Sequence, residues 1–419
     1  MVPPPDAATS PLPKPMTAIP RYRPHAGPAI LSAGFRPFFL GASFWAAAAI
    51  PLWLAAYAAG LAVPTLLPPV VWHVHEMVFG FAAATVAGFL LTAIPNWTGR
   101  MPLQGVPLAA LVGLWAIGRL AVLISGAIGA PLAAIADLSF PLAFLLVVAR
   151  EILAGKNWRN LPMLAALSLL LAGNLLVHLA ALGLADTAEL GNRIGLVTLF
   201  MLISIVGGRI IPSFTRNWLV KMQPDPARLP APPEARFDLA VIAVTVLALA
   251  CWAAAPDAAI TAAAVLIAGV AMALRLSRWR GLKTGREPLL LVLHVGYGWL
   301  ALGLLLLGVN GFVAVLPATA ALHALTIGAV GTMTLAVMTR ASLGHTGRPL
   351  TAGTGTRMIY LLITLAAVLR VLSPLAGDQE TLALALAGTA WSAAFGLFAI
   401  LYGRALASPR AEGGTAKPI

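Results

Sequence analysis

Apolar stretches of about 20 residues, the length that crosses a bilayer as a helix, alternate with short polar links along the chain. They fall at 38–60, 71–95, 106–125, 130–150, 161–184, 194–213, 238–255, 258–275, 287–308, 318–341, 356–374 and 382–404. This pattern predicts an all-α fold, a polytopic membrane bundle of twelve transmembrane helices. The links between the third and fourth stretches, and between the seventh and eighth, are very short. The longest link, about 214–237, is rich in proline, divides the helices six to six, and is too short for a soluble domain. Proline-rich and polar ends predict disordered cytoplasmic tails at 1–30 and 406–419, flanking one transmembrane domain at 31–405.

Composition agrees. Of 419 residues 60% are hydrophobic and 10% charged, where a soluble domain carries about 25% charged. The net charge of +13 does not indicate a nucleic-acid partner, because the basic residues sit between apolar runs and form no basic face on a soluble fold. Alternate links carry them. Of the 27 lysines and arginines, all but Arg119, Arg193 and Arg370 fall on one side. By the positive-inside rule that side is cytoplasmic and holds both termini, which predicts a multi-pass protein of a bacterial inner membrane with the lipid bilayer as its surroundings. The single cysteine, Cys251, excludes disulfide and cysteine-ligated metal sites. A metal would need histidine.

An internal echo divides the chain more finely. Ala93-Ile94-Pro95-Asn96-Trp97-Thr98 ends the second helix, Ile210-Ile211-Pro212-Ser213-Phe214-Thr215 the sixth, and Val337-Met338-Thr339-Arg340 the tenth. The interval of four helices suggests three four-helix units with helices two, six and ten as equivalents. Proline and tryptophan marking helix ends at an interface would give the same pattern.

Ionisable groups within hydrocarbon are costly, so those found there are functional candidates. Counting at about 1.5 Å per residue, His73, His75 and Glu76 enter helix two from the periplasmic side. His178 near the end of helix five and His323 near the start of helix ten lie at the same level. Arg119 and Asp137 share that depth and can meet as an ion pair. Imidazoles at one level on separate helices are what a haem or copper site in a bundle requires. His73 and His75 are roughly 200° apart around a helix and face different ways, whereas His73 and Glu76, at i and i+3, share a face. The expected site is His73, His75, His178 and His323 as metal ligands, with His73, His75, His323 and Arg119 toward a haem and its propionates. Glu76 is the orienting or proton-handling carboxylate. Interhelical hydrogen bonding is the plainer role for the same histidines and accounts for Asn174 and Trp115. His294 lies apart, in the cytoplasmic half of helix nine. The arginine, glycine and aromatic clusters around Arg36, Arg100, Arg209, Arg216 and Arg348 suit either a quinone-like ligand or interfacial anchoring.

Five segments then resemble one family, in order: Gly34 to Leu40 (GFRPFFL), Trp72 to Gly80 (WHVHEMVFG), Pro95 to Arg100 (PNWTGR), Ile211 to Trp218 (IPSFTRNW) and Val337 to Arg348 (VMTRASLGHTGR). Over about residues 30–405 the chain resembles the NnrS family. The resemblance implies a twelve-helix bacterial inner-membrane protein that contains haem, of b type, and copper, and serves nitric-oxide tolerance, often beside denitrification. Its histidine motifs match His73, His75, His323 and His345, and its arginine motifs match Arg36, Arg100, Arg209, Arg340 and Arg348. Histidines on helices two and ten also look like the catalytic subunit of haem-copper oxidases and nitric oxide reductases. Those enzymes, however, place ligands on helices six and seven, which here hold no histidine. The expected function is binding, and reduction, of nitric oxide or a derived species near the periplasmic face, with electrons from a quinol. The competing readings are a 6+6 secondary transporter or exporter and a non-catalytic metal or nitric-oxide sensor.

Overall fold

The computed structural model describes residues 25–222, 229–230, 235–314 and 316–411. Twelve of its helices are long and apolar enough to cross a membrane. They are α1 Phe35–Ala58, α2 Pro69–Thr98, α3 Val106–Leu123, α4 Ala130–Ala154, α5 Trp158–Ala181, α6 Ala188–Met222, α7 Arg236–Ala254, α8 Ala259–Ser277, α9 Pro288–Asn310, α10 Ala318–His345, α11 Thr354–Leu375 and α12 Gly377–Ala407. No strand occurs among the described residues. The all-α membrane bundle read from the sequence is the observed fold, and the chain is a multi-pass membrane protein.

Local sequence sets the helix ends. Pro69 occupies the first turn of α2, where its missing N–H costs nothing. Gly99 closes the helix in the left-handed conformation, φ 71°, with its N–H on the Pro95 carbonyl. The sixth helix runs on to Met222, beyond the expected 213, because the Arg-Asn-Trp-Leu-Val-Lys continuation remains helical. The proline-rich link is correspondingly shorter, and its residues 223–228 and 231–234 lie outside the described residues. So do 1–24 and 412–419, the greater part of the expected tails. The nearer residues are placed: Ala29–Leu31 form a helical turn, and the Ala411 N–H reaches the Thr346 carbonyl at 2.9 Å.

Sequential helices pack as neighbours, and α12 returns to α1, which closes the ring. Inside it α2, α6 and α10 touch one another pairwise. In α2 72% of the most apolar window is buried and in α10 67%, against 28% in α7 at the outside. These three central helices share a rare backbone feature. Each contains a π-helical segment: Glu76–Ala82 in α2, Ile203–Gly207 in α6 and Ala324–Gly331 in α10. Such segments mostly occur as single turns and concentrate at functional sites. The interval of four helices read from the sequence echo thus returns in the backbone itself.

Candidate functional site

The π segment of α2 begins at Glu76, directly after the two histidines. His75 and Glu76 are fully buried and face the interior on the side of α3, α4 and α5. Arg119 of α3 donates through Nη1 to Glu76 Oε1 and Oε2 at 2.8 and 2.7 Å, and through Nη2 to Asp137 Oδ1 of α4. His75 Nδ1 meets Glu76 Oε1 at 2.9 Å, and its Nε2 faces Asn174 Oδ1 at 2.9 Å and Asp137 Oδ2 at 3.2 Å. Asn174 Nδ2 donates to Asp137 Oδ2 at 2.8 Å, and His178 Nε2 meets the same oxygen at 2.9 Å. Six polar side chains from four helices therefore form one closed network.

An ion taken out of water costs several kcal/mol unless its partners are well placed, and this network supplies them. Each carboxylate shares the Arg119 fork and takes further donors, so only Arg119 Nε is left without a partner. Small residues make the approach possible. A Cβ at Gly80 would lie 2.7 Å from Arg119 Nη1 and 2.9 Å from Glu76 Oε2, and one at Gly118 would lie 2.9 Å from Asp137 Oδ1. The Gly80 carbonyl, inside the π segment, accepts from Trp115 Nε1 at 3.0 Å. His75, Asp137 and His178 also offer three ligand atoms within 4.8 Å of one another, a set that could hold a metal ion. Glu76 on His75 Nδ1 supplies the outer carboxylate that orients a ligating imidazole.

His73 points the other way. Its ring lies 6.4 Å from that of His323, centre to centre and 14° from parallel. Trp53 of α1 stacks on His73 at 4.4 Å. His323 Nδ1 donates to its own Thr319 carbonyl at 2.6 Å, which leaves Nε2 as the nitrogen with a free lone pair. His73 Nδ1 and Trp53 Nε1 are buried without a hydrogen-bond partner. The Arg370 guanidinium, at the end of α11, is near enough for its charge to act on both rings, and it donates to Ser373 Oγ at 3.2 Å.

The sequence-predicted residues thus divide into two groups. His75, His178, Glu76 and Arg119 come together in the inner network, and His73 and His323 form an outer pair. The expectation that His73 and His75 face different ways holds, and so does the Arg119–Asp137 ion pair. Glu76 departs from the helical-wheel expectation: its carboxylate meets His75 and Arg119 and does not pair with His73. Asn174 belongs to the network although the sequence offered only interhelical contact for it. Its spacing of four residues from His178, which puts both on one face of α5, was the available signal. Trp53 and Arg370 carried no such signal.

The arginine and aromatic clusters at the opposite end mostly serve the fold. Arg36 Nη1 donates to the carbonyls of Leu406 and Ser408 at 2.7 and 2.6 Å and so caps α12. Arg100 pairs with Glu151. Arg340 lies 4.3 Å from the Phe214 ring centre, His345 sits beside Phe35 at 5.5 Å, and His294 meets Thr215 Oγ1 at 2.9 Å.

No curated protein matches the chain. The family model described as NnrS protein matches residues 29–410, nearly its whole length, and spans both histidine groups and all five sequence motifs. The chain belongs to the NnrS family.

Proposed function

We propose that the protein is a haem- and copper-containing component of nitric-oxide tolerance in a bacterial inner membrane, with the histidine-bearing end of the bundle toward the periplasm and both termini in the cytoplasm. The observation that carries this reading is the His73–His323 pair. The two rings lie 6.4 Å apart, centre to centre, and are within 14° of parallel, so both could contribute to one haem site. One ring already has its outer nitrogen tied to a backbone carbonyl, as metal-ligating imidazoles do. These residues fit a haem iron held from both sides. Arg370 and the unpartnered Trp53 Nε1 would be the groups to meet its carboxylates.

Haem bound there supplies one-electron chemistry. A haem held by both His73 and His323 would suit electron transfer better than gas binding. The inner set is different in kind. His75, Asp137 and His178 are three ligands, a number that leaves a coordination position open, and their nitrogen and oxygen donors suit copper. Glu76 orients His75 and is placed to hand on a proton, while Arg119 keeps the two carboxylates from repelling each other. Nitric oxide, or a species derived from it, is the ligand of this inner set, with a quinol as electron source.

The test is an absorption spectrum and metal analysis of the purified protein, before and after nitric oxide. The reading expects a Soret band lost in His323→Ala, and copper lost in His178→Ala. A colourless, well-folded preparation without copper overturns it.

A further inference from the structure

Below the inner network, α2, α6 and α10 line a pocket of about 90 Å³ that is open on one side. Its lining is drawn from these three helices alone, and all three π segments reach it: Ala82 from α2, Ile203, Val206 and Gly207 from α6, and Val330 from α10. Chance packing defects are not expected to coincide with three separate rare backbone features. The walls are otherwise apolar, apart from the hydroxyls of Thr85 and Thr334. Both are spent on their own helices, Thr85 Oγ1 on the Phe81 carbonyl at 3.2 Å and Thr334 Oγ1 on the Gly331 carbonyl at 2.9 Å.

Water needs two to four polar partners, so a pocket lined by apolar side chains holds it poorly and favours small apolar guests. We infer that this pocket binds a small neutral gas molecule drawn from the bilayer. Apolar gases concentrate in hydrocarbon, and the cavity lies among apolar side chains within the membrane-spanning part of the bundle. It begins at Ala82, six residues beyond Glu76 on the same helix, or about 9 Å at the helical rise. A guest there stands close to the inner network. Nitric oxide belongs to this chemical class, so the site deepens the function proposed above, yet its walls include none of the histidines and its occupancy does not depend on them.

Xenon is the probe, applied under pressure to crystals of the full chain or followed by ¹²⁹Xe resonance in nanodiscs. The wild type is expected to take up xenon between α2, α6 and α10, and His323→Ala, which removes the proposed haem ligand, is expected to retain it. Val206→Phe and Val337→Phe each place a ring in the cavity and are expected to lose the xenon site while keeping helical content and metal content. Ordered water or an acyl chain at this position overturns the inference, as does xenon uptake unchanged by both phenylalanine variants. A wild-type protein that carries neither haem nor copper and still binds xenon would reject the proposed function and leave this site standing.

Discussion

The His73 and His323 rings lie 6.4 Å apart and within 14° of parallel, although they come from α2 and α10. His75, two residues from His73, is turned into the other group and meets Glu76 and Asn174. One short stretch of α2 thus serves two sites. The separation predicts that His73→Ala and His323→Ala each abolish the Soret absorption, whereas His75→Ala leaves haem in place and lowers copper. Absorption spectra beside metal content of the three variants check this.

Arg119 holds two buried carboxylates at once, Glu76 and Asp137. Removing it leaves uncompensated charge in a low-dielectric interior, so Arg119→Leu is expected to destabilise the protein by about 3–5 kcal/mol. Arg119→Lys is expected to recover only part of this, since an ammonium lacks the planar fork that spans both groups. Thermal midpoints in detergent measure both.

A metal at the inner set, as proposed, would bind in competition with protons. His75 presents both ring nitrogens to oxygen acceptors, so a metal at Nε2 replaces a proton. Affinity is therefore expected to fall as pH falls, with protons released on binding, and His178→Ala is expected to weaken binding at every pH. Titration of metal-depleted protein in lightly buffered solution reads the proton release directly.

Close backbone approach joins α5 to α6. A Cβ on Gly191 would lie 2.4 Å from the Gly173 carbonyl oxygen, a backbone atom that cannot swing aside. Gly191→Val is expected to cost about 1–3 kcal/mol through overpacking, seen as a lower thermal midpoint. Because α5 carries Asn174 and His178, the proposed function expects copper content to fall with it and haem content, assigned to α2 and α10, to be kept.

The bundle was legible because twelve apolar runs separated by charged links leave little choice of element, and depth alone paired Arg119 with Asp137. The equivalence of helices two, six and ten was also legible, from the echo around Pro95, Pro212 and Met338. The three π segments were not, since reading positions at 3.6 residues per turn assumes a regular helix throughout. The shared helix face put Glu76 beside His73, whereas its carboxylate turns to His75 and Arg119. Asn174 looked like an ordinary polar contact, and Arg370 like a link residue, because their roles depend on which helices meet and not on local pattern. Arg36 shows the reverse: a motif that read equally as ligand site or anchor caps the last helix. The exporter reading expects matched interruptions in two six-helix halves, and the interruptions instead fall every four helices.

The central claim is that His73 and His323 grip one haem iron from opposite sides. Low-temperature electron paramagnetic resonance of the oxidised wild-type protein tests it most directly. The proposed function predicts a low-spin ferric signal from two imidazoles, absent in His73→Ala and in His323→Ala. A signal that is high-spin in the wild type, or low-spin and unchanged in either variant, would contradict it.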